Sequence, residues 1–93
     1  MKIFQSSSFG KKVKKLKKKE KLEVDNAVRE IAQNPLAGTE KKGDLSGIFV
    51  HKFKISKIEF LLSYRVVGED IELIAIGPHE NYYRDLKSYL KNR

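Results

Sequence analysis

The sequence predicts a small α+β domain in which an antiparallel sheet carries an αα-hairpin on one face and leaves a basic face open. Three observations lead there. Alternating apolar residues recur in three runs between Ile48 and Ile76, two earlier stretches carry apolar residues at helical spacing, and 93 residues suffice for one core only. The element order is β-α-α-β-β-β-α, and residues 1–93 are read as a single domain.

Lys2 to Gln5 is a short strand candidate, followed by Ser6, Ser7 and Ser8 as candidate N-caps for a helix with Phe9, Val13 and Leu16 on one face. Between Lys11 and Lys21 stand eight lysines and one glutamate, Glu20. That run is either a solvated helix face or an anion-binding one. A second helix runs from about Lys21 to Gln33, with Val24, Ala27, Val28 and Ile31 on its stripe. Asn34-Pro35 ends it, because proline disfavours helical geometry in the residue before it.

The segment from Leu36 to Gly47 has three glycines and no apolar period, so it is expected to be a surface connection pinned to the core by Leu36 and Leu45. Strands follow at Ile48–Ile55, Glu59–Val67 and Ile71–Ile76, separated by Ser56-Lys57 and by Gly68-Glu69-Asp70. Connections this short make antiparallel neighbours. A last helix is expected from about Asn81 to Leu90, carrying Tyr82, Tyr83, Leu86, Tyr89 and Leu90.

Twenty lysines and arginines against twelve acids give a net charge of +8, which favours polyanionic partners: nucleic acid, an acidic protein or an anionic membrane surface. Net charge does not choose among them. The absence of cysteine excludes disulfides and thiolate metal sites, and is compatible with a reducing cytosol. The N-terminus lacks the apolar run of a signal peptide, and no stretch approaches the roughly 20 apolar residues of a membrane span. A soluble cytoplasmic protein is expected.

Strand parity assigns faces. Phe49, His51, Phe53 and Ile55 share one side, and Ile48, Val50, Lys52 and Lys54 the other; Phe60, Leu62, Tyr64 and Val66 oppose Glu59, Leu61, Ser63 and Arg65. The aromatic side is expected to face the helices, leaving Lys52, Lys54 and Arg65 on the open face. His79 follows Gly77-Pro78 past the third strand and reaches Arg65 or Lys54 according to register. Cation, imidazole and phenol together can handle a phosphodiester without metal. Arginine binds two phosphate oxygens and stabilises developing charge, His or Lys moves the proton, and tyrosine stacks a base or donates to phosphate. His51 has core parity and is expected to be structural. With two histidines and no HxH or HxxxH spacing, neither a metal nor another cofactor is expected.

The succession GDLSGIFVHKFKI, FLLSYRV, IELIAIGPHENYYRDL resembles the RelE/ParE superfamily of toxins from bacterial type II toxin-antitoxin systems, over nearly the whole chain. The pieces that carry the resemblance are Lys52-x-Lys54, Tyr64-Arg65 and the Gly-x-His-Glu-x-x-Tyr of Gly77 to Tyr83. It implies one of two activities: ribosome-dependent, metal-independent cleavage of mRNA, in which the ribose 2′-hydroxyl attacks the adjacent phosphate, or non-enzymatic inhibition of DNA gyrase. Either is held in check by a cognate antitoxin, expected to be acidic. Carried over by resemblance, Lys52 and Lys54 orient RNA or assist proton transfer, Arg65 stabilises the phosphate, and His79 or Tyr83 is the terminal acid or base; Arg84, near His79 in the sequence, is either an ordinary surface charge or joins Lys52, Lys54 and Arg65 in RNA binding. Arg65 is offset along its strand from the best-known RelE pattern. Glu80 is an alternative base, although an exposed carboxylate is a weak one at neutral pH. The function expected first is an mRNA endonuclease, then gyrase inhibition, then RNA binding without turnover.

Overall fold

A computed structural model describes residues 2–36, 38–41, 43, 46–79, 86 and 90. The elements are β1 (Ile3–Gln5), α1 (Ser7–Lys14), α2 (Lys18–Gln33), β2 (Thr39–Glu40), β3 (Phe49–Ile55), β4 (Ile58–Val67) and β5 (Asp70–Pro78). The helix expected over Asn81–Leu90 lies outside the described residues except for Leu86 and Leu90, which are helical. Glu80, Tyr82, Tyr83, Arg84 and Leu45 also lie outside them.

Each helix starts where the chain can satisfy an end. Ser6 caps α1: its Oγ accepts from the Phe9 N–H at 3.0 Å and donates to the Ile74 carbonyl at 2.6 Å, so one hydroxyl starts the helix and ties it to β5. α2 begins at Lys18, earlier than the apolar stripe suggests, because the Glu20 carboxylate accepts from the Lys17 N–H at 2.8 Å. It ends at Asn34 before Pro35, as expected. The chain then continues through Leu36, which is 71% exposed and does not pin the connection to the core.

The sheet order is β1-β5-β4-β3-β2. The hairpin pairs β3·β4 and β4·β5 are antiparallel, as the short connections require. β1 adds parallel to β5, with Ile3 opposite Ile71, which makes the sheet mixed. β2 is a two-residue edge strand on β3 inside the segment read as a plain connection. Two residues are too few to show an alternation.

On one face Phe9, Val24, Ala27 and Ile31 of the helices pack on Ile55, Leu62, Tyr64, Ile71, Leu73 and Ile76, flanked by Phe49, Phe53 and Phe60. The aromatic side faces the helices, as the alternation predicts. His51 belongs to this side: it stacks on Phe53 at 6.1 Å, with Nε2 at 3.2 Å from Glu30 Oε2 in a geometry that makes no hydrogen bond. The opposite face is not open throughout. Ile48, Val50, Leu61, Ile74, Ala75 and Leu86 form a second buried cluster, with Leu90 packed against it. A register shift between Ser63 and Tyr64 gives β5 one extra residue, which puts the consecutive Ile74 and Ala75 into this cluster while Ile71 and Ile76 stay with the helices. The basic face is thus divided in two by an apolar centre. Among the described residues no helix is long and apolar enough to cross a membrane.

Candidate phosphate-handling site

The β3–β4 turn fixes one end of the candidate site. Ser56 and Lys57 both have positive φ, 49° and 72°, the pattern of a two-residue hairpin turn that matches strand twist. Ile55 then pairs with Ile58, so Lys54 must face Glu59 and Lys52 must face Leu61. Both lysines are exposed on the same face, about 7 Å apart along the strand. β5 reaches the same level, because the His79 N–H donates to the Glu59 carbonyl at 3.0 Å. Lys54, Glu59 and His79 therefore form one cross-strand row, with outer Cα atoms on the order of 10 Å apart. His79 Nε2 lies 3.9 Å from Glu59 Oε1, and both side chains are about half exposed.

Arg65 lies at the opposite end. Six residues separate it from Glu59 along β4, which is about 20 Å, and the apolar cluster around Leu61 and Ile74 stands between. It faces Glu72 in register, and its guanidinium forms a close ion pair with that carboxylate. Arg65 Nε is buried without a hydrogen-bond partner, so the pair uses only part of the guanidinium's donor set. Phe4, Val67 and Asp70 complete the lining of a shallow cleft of about 260 Å³ here. An anion entering this cleft has to compete with Glu72 for Arg65.

Of the residues singled out in the sequence, Lys52, Lys54 and His79 are brought to one end of one face, and Arg65 is not. His79 meets Lys54 rather than Arg65 because the two-residue turn sets the register. Tyr83 and Arg84 are among the residues not described. Glu59 was not singled out: parity puts it on the face of Lys54, but its place between Lys54 and His79 follows only from the register, in which Ile58 joins the strand and pairs with Ile55. Among the described residues no three His, Asp or Glu side chains converge as a metal site would need.

Tyr64 beside Arg65 is a structural residue. Its hydroxyl donates to the Pro35 carbonyl at 2.6 Å and accepts from the Gly38 N–H at 3.3 Å, tying the exit from α2 to the sheet. Burial pushes its phenol above the ordinary 10.0, and the hydrogen bond from Gly38 partly offsets the rise. A Cβ on Gly38 would stand 2.6 Å from the Tyr64 hydroxyl, so this close approach needs glycine.

A family model described as ParE-like toxin of type II bacterial toxin-antitoxin system matches residues 3–87. No curated protein matches the sequence significantly. Among solved structures, the chain is similar to a chain of the intact E. coli RelBE toxin-antitoxin complex, with 18% identity and a TM-score of 0.68 over 85% of this chain and 96% of that one. It is also similar to a mutant of E. coli toxin RelE in the free state, with 17% identity and a TM-score of 0.73 over 98% and 95% of the two chains. A YoeB/ParE toxin from Agrobacterium tumefaciens gives 19% identity and a TM-score of 0.66 over 85% and 99%. At such identities the likeness is one of fold.

Proposed function

From the premise that this chain belongs to the ParE-like toxins of type II bacterial toxin-antitoxin systems, we propose that it is a metal-independent endonuclease acting on mRNA at the ribosome. The observation that carries the reading is the row of Lys54, Glu59 and His79, with Lys52 beside it, on one exposed end of the sheet. Cleavage of RNA needs a proton taken from the ribose 2′-hydroxyl, a proton given to the leaving 5′-oxygen, and positive charge at the phosphate between them. As the 2′-oxygen bonds to phosphorus and the bond to the 5′-oxygen breaks, the products are a 2′,3′-cyclic phosphate and a 5′-hydroxyl end.

His79 is proposed as the acid or base. Its ring sits beside Glu59, a carboxylate suited to holding an imidazolium as it forms. Lys52 and Lys54 meet the phosphate. Tyr83 joins this set by resemblance as a proton-transfer group, and Arg84, near His79 in the sequence, as a backbone contact. Arg65, expected to stabilise the phosphate, receives no part in this site, since it lies about 20 Å along the strand and is already paired with Glu72. The partner that restrains the toxin is proposed to be an acidic antitoxin, in keeping with the +8 charge and with the toxin-antitoxin assembly of the RelBE relative. The site of action would be the cytoplasm, where mRNA is translated.

The test mixes purified protein with translating ribosomes and an mRNA and reads new 5′-hydroxyl ends. Lys54→Ala and His79→Ala are each expected to lower cutting about 100-fold or more, and Arg65→Ala far less. Cutting unchanged in the Lys54→Ala/His79→Ala double variant would overturn the assignment. A second reading, inhibition of DNA gyrase without catalysis, is favoured by the pairing of Arg65 with Glu72, which removes the only described arginine of the sheet from a catalytic set. A supercoiling assay with gyrase and saturating toxin separates the two, since only this second reading expects inhibition there.

A further inference from the structure

We propose that the corner where α1 turns into α2 is a separate anion-binding surface, which grips the phosphate backbone of a nucleic acid without reading its bases. Residues 11–21 hold eight lysines against one glutamate, a net +7 of the chain's +8; the other residues carry twelve cations against eleven acids. The excess charge of the molecule is therefore concentrated here. At the sheet, by contrast, Lys54 faces Glu59 and Arg65 faces Glu72.

Seven of the eight lysines are exposed, Lys21 being half-buried, and among the described residues none has a carboxylate within ion-pair distance. Helix stability does not account for their placement. Lys11, Lys12 and Lys14 suit the last turn of α1, but Lys17, Lys18 and Lys19 occupy the N-terminus of α2, where the helix dipole favours acids and repels cations. Lys17 even takes the N-cap position, where a side chain that accepts a hydrogen bond is preferred and an ammonium has no acceptor to offer. The positive end of a 16-residue helix and its lysines thus add their fields at one point.

The chemistry of the corner selects a phosphate backbone over other polyanions. It holds no arginine for bidentate recognition of a base and no aromatic ring for stacking, while lysine ammonium groups meet phosphates as point charges. Of its apolar residues, Val13 packs on the core, and Leu16 is shared between the core and a neighbouring groove. A groove also leads from the corner, on the helix side, to the end of the sheet whose other face carries the candidate site. Lys12, Lys15 and Leu16 line a groove of about 220 Å³ with Phe60, Ile76, Gly77 and Pro78, and His79 is the next residue. A strand held at the corner would run to that end of the sheet. Backbone binding itself does not depend on cleavage.

The experiment follows fluorescence anisotropy of a labelled single-stranded RNA and of a DNA duplex, each about 20 nucleotides long, over a series of KCl concentrations. Replacing Lys14, Lys15, Lys17 and Lys18 together by serine is expected to weaken binding of both at least 10-fold at low salt and to make the log–log salt slope shallower by about 3. The melting temperature should not fall, since serine is the better N-cap. Arginine at the same four positions should restore the slope, and Lys52→Ser/Lys54→Ser should leave most of it. An unchanged slope in the serine variant would overturn the proposal. So would displacement of the RNA by poly-L-glutamate at equal charge, which would assign the surface to an acidic protein.

Discussion

Tyr64 shows how one side chain can set both local structure and a pH response. Its ring packs in the helix-side core, stacked on Phe49 at 5.5 Å, while its hydroxyl holds Pro35 and Gly38. Tyr64→Phe keeps the ring and removes both hydrogen bonds, which should destabilise the fold by about 1–2 kcal/mol in denaturant unfolding. Because the folded-state pKa is raised, the folded protein keeps this proton where the unfolded chain releases it. The resulting stability is fully present below pH 10 and is lost as the pH rises from there through the folded-state value. The difference between the parent and Tyr64→Phe, measured from pH 9 to 11, should therefore shrink with rising pH, and contributions common to both chains cancel in that difference. A difference that stays constant would mean that burial does not hold the phenol neutral. The residue was legible as core from parity alone; its hydroxyl partners were not, because they come from a connection without periodicity.

Among the elements, the β3–β4 turn carries the site's register with residues poorly suited to it. Both central positions need positive φ, and neither Ser56 nor Lys57 has the freedom of glycine or the local hydrogen bonding of asparagine. Ser56→Asn/Lys57→Gly should stabilise the hairpin by about 1 kcal/mol without moving Lys54 from Glu59, and the urea midpoint should rise. A lower midpoint would show that the turn found here is not the one adopted. The same turn explains what could be read in advance. Three alternating runs with short connections dictate the meander and the face of each side chain, and Pro35 dictates where α2 ends. The parallel docking of β1 on β5 joins segments about 70 residues apart, and three exposed residues carry no pattern that points to a partner. The bulge at Ile74 was hidden as well, since a continuous apolar run looks the same with or without an extra residue.

At the scale of the whole molecule, the charge is divided from the fold. In the sheet Lys54 faces Glu59 and Arg65 faces Glu72 across strands, whereas residues 11–21 keep a net +7 with little to neutralise it. The lysine run was visible in the sequence, and the structure adds that it forms the corner between α1 and α2, while Arg65 stands apart from Lys52 and Lys54 on the sheet. Lysines so close repel one another in the free protein, and that repulsion is screened once the Debye length falls below their separation. The urea midpoint should therefore rise as KCl is increased from about 20 to 500 mM, a range over which the Debye length falls from roughly 20 Å to about 4 Å. The variant with serine at Lys14, Lys15, Lys17 and Lys18 should start from a higher midpoint at low salt and respond more weakly. Stability independent of salt in the parent chain would mean that the corner is not under electrostatic strain. A rise in the parent that disappears in the variant would mark these lysines as residues that cost stability when free and lower that cost when a polyanion is bound.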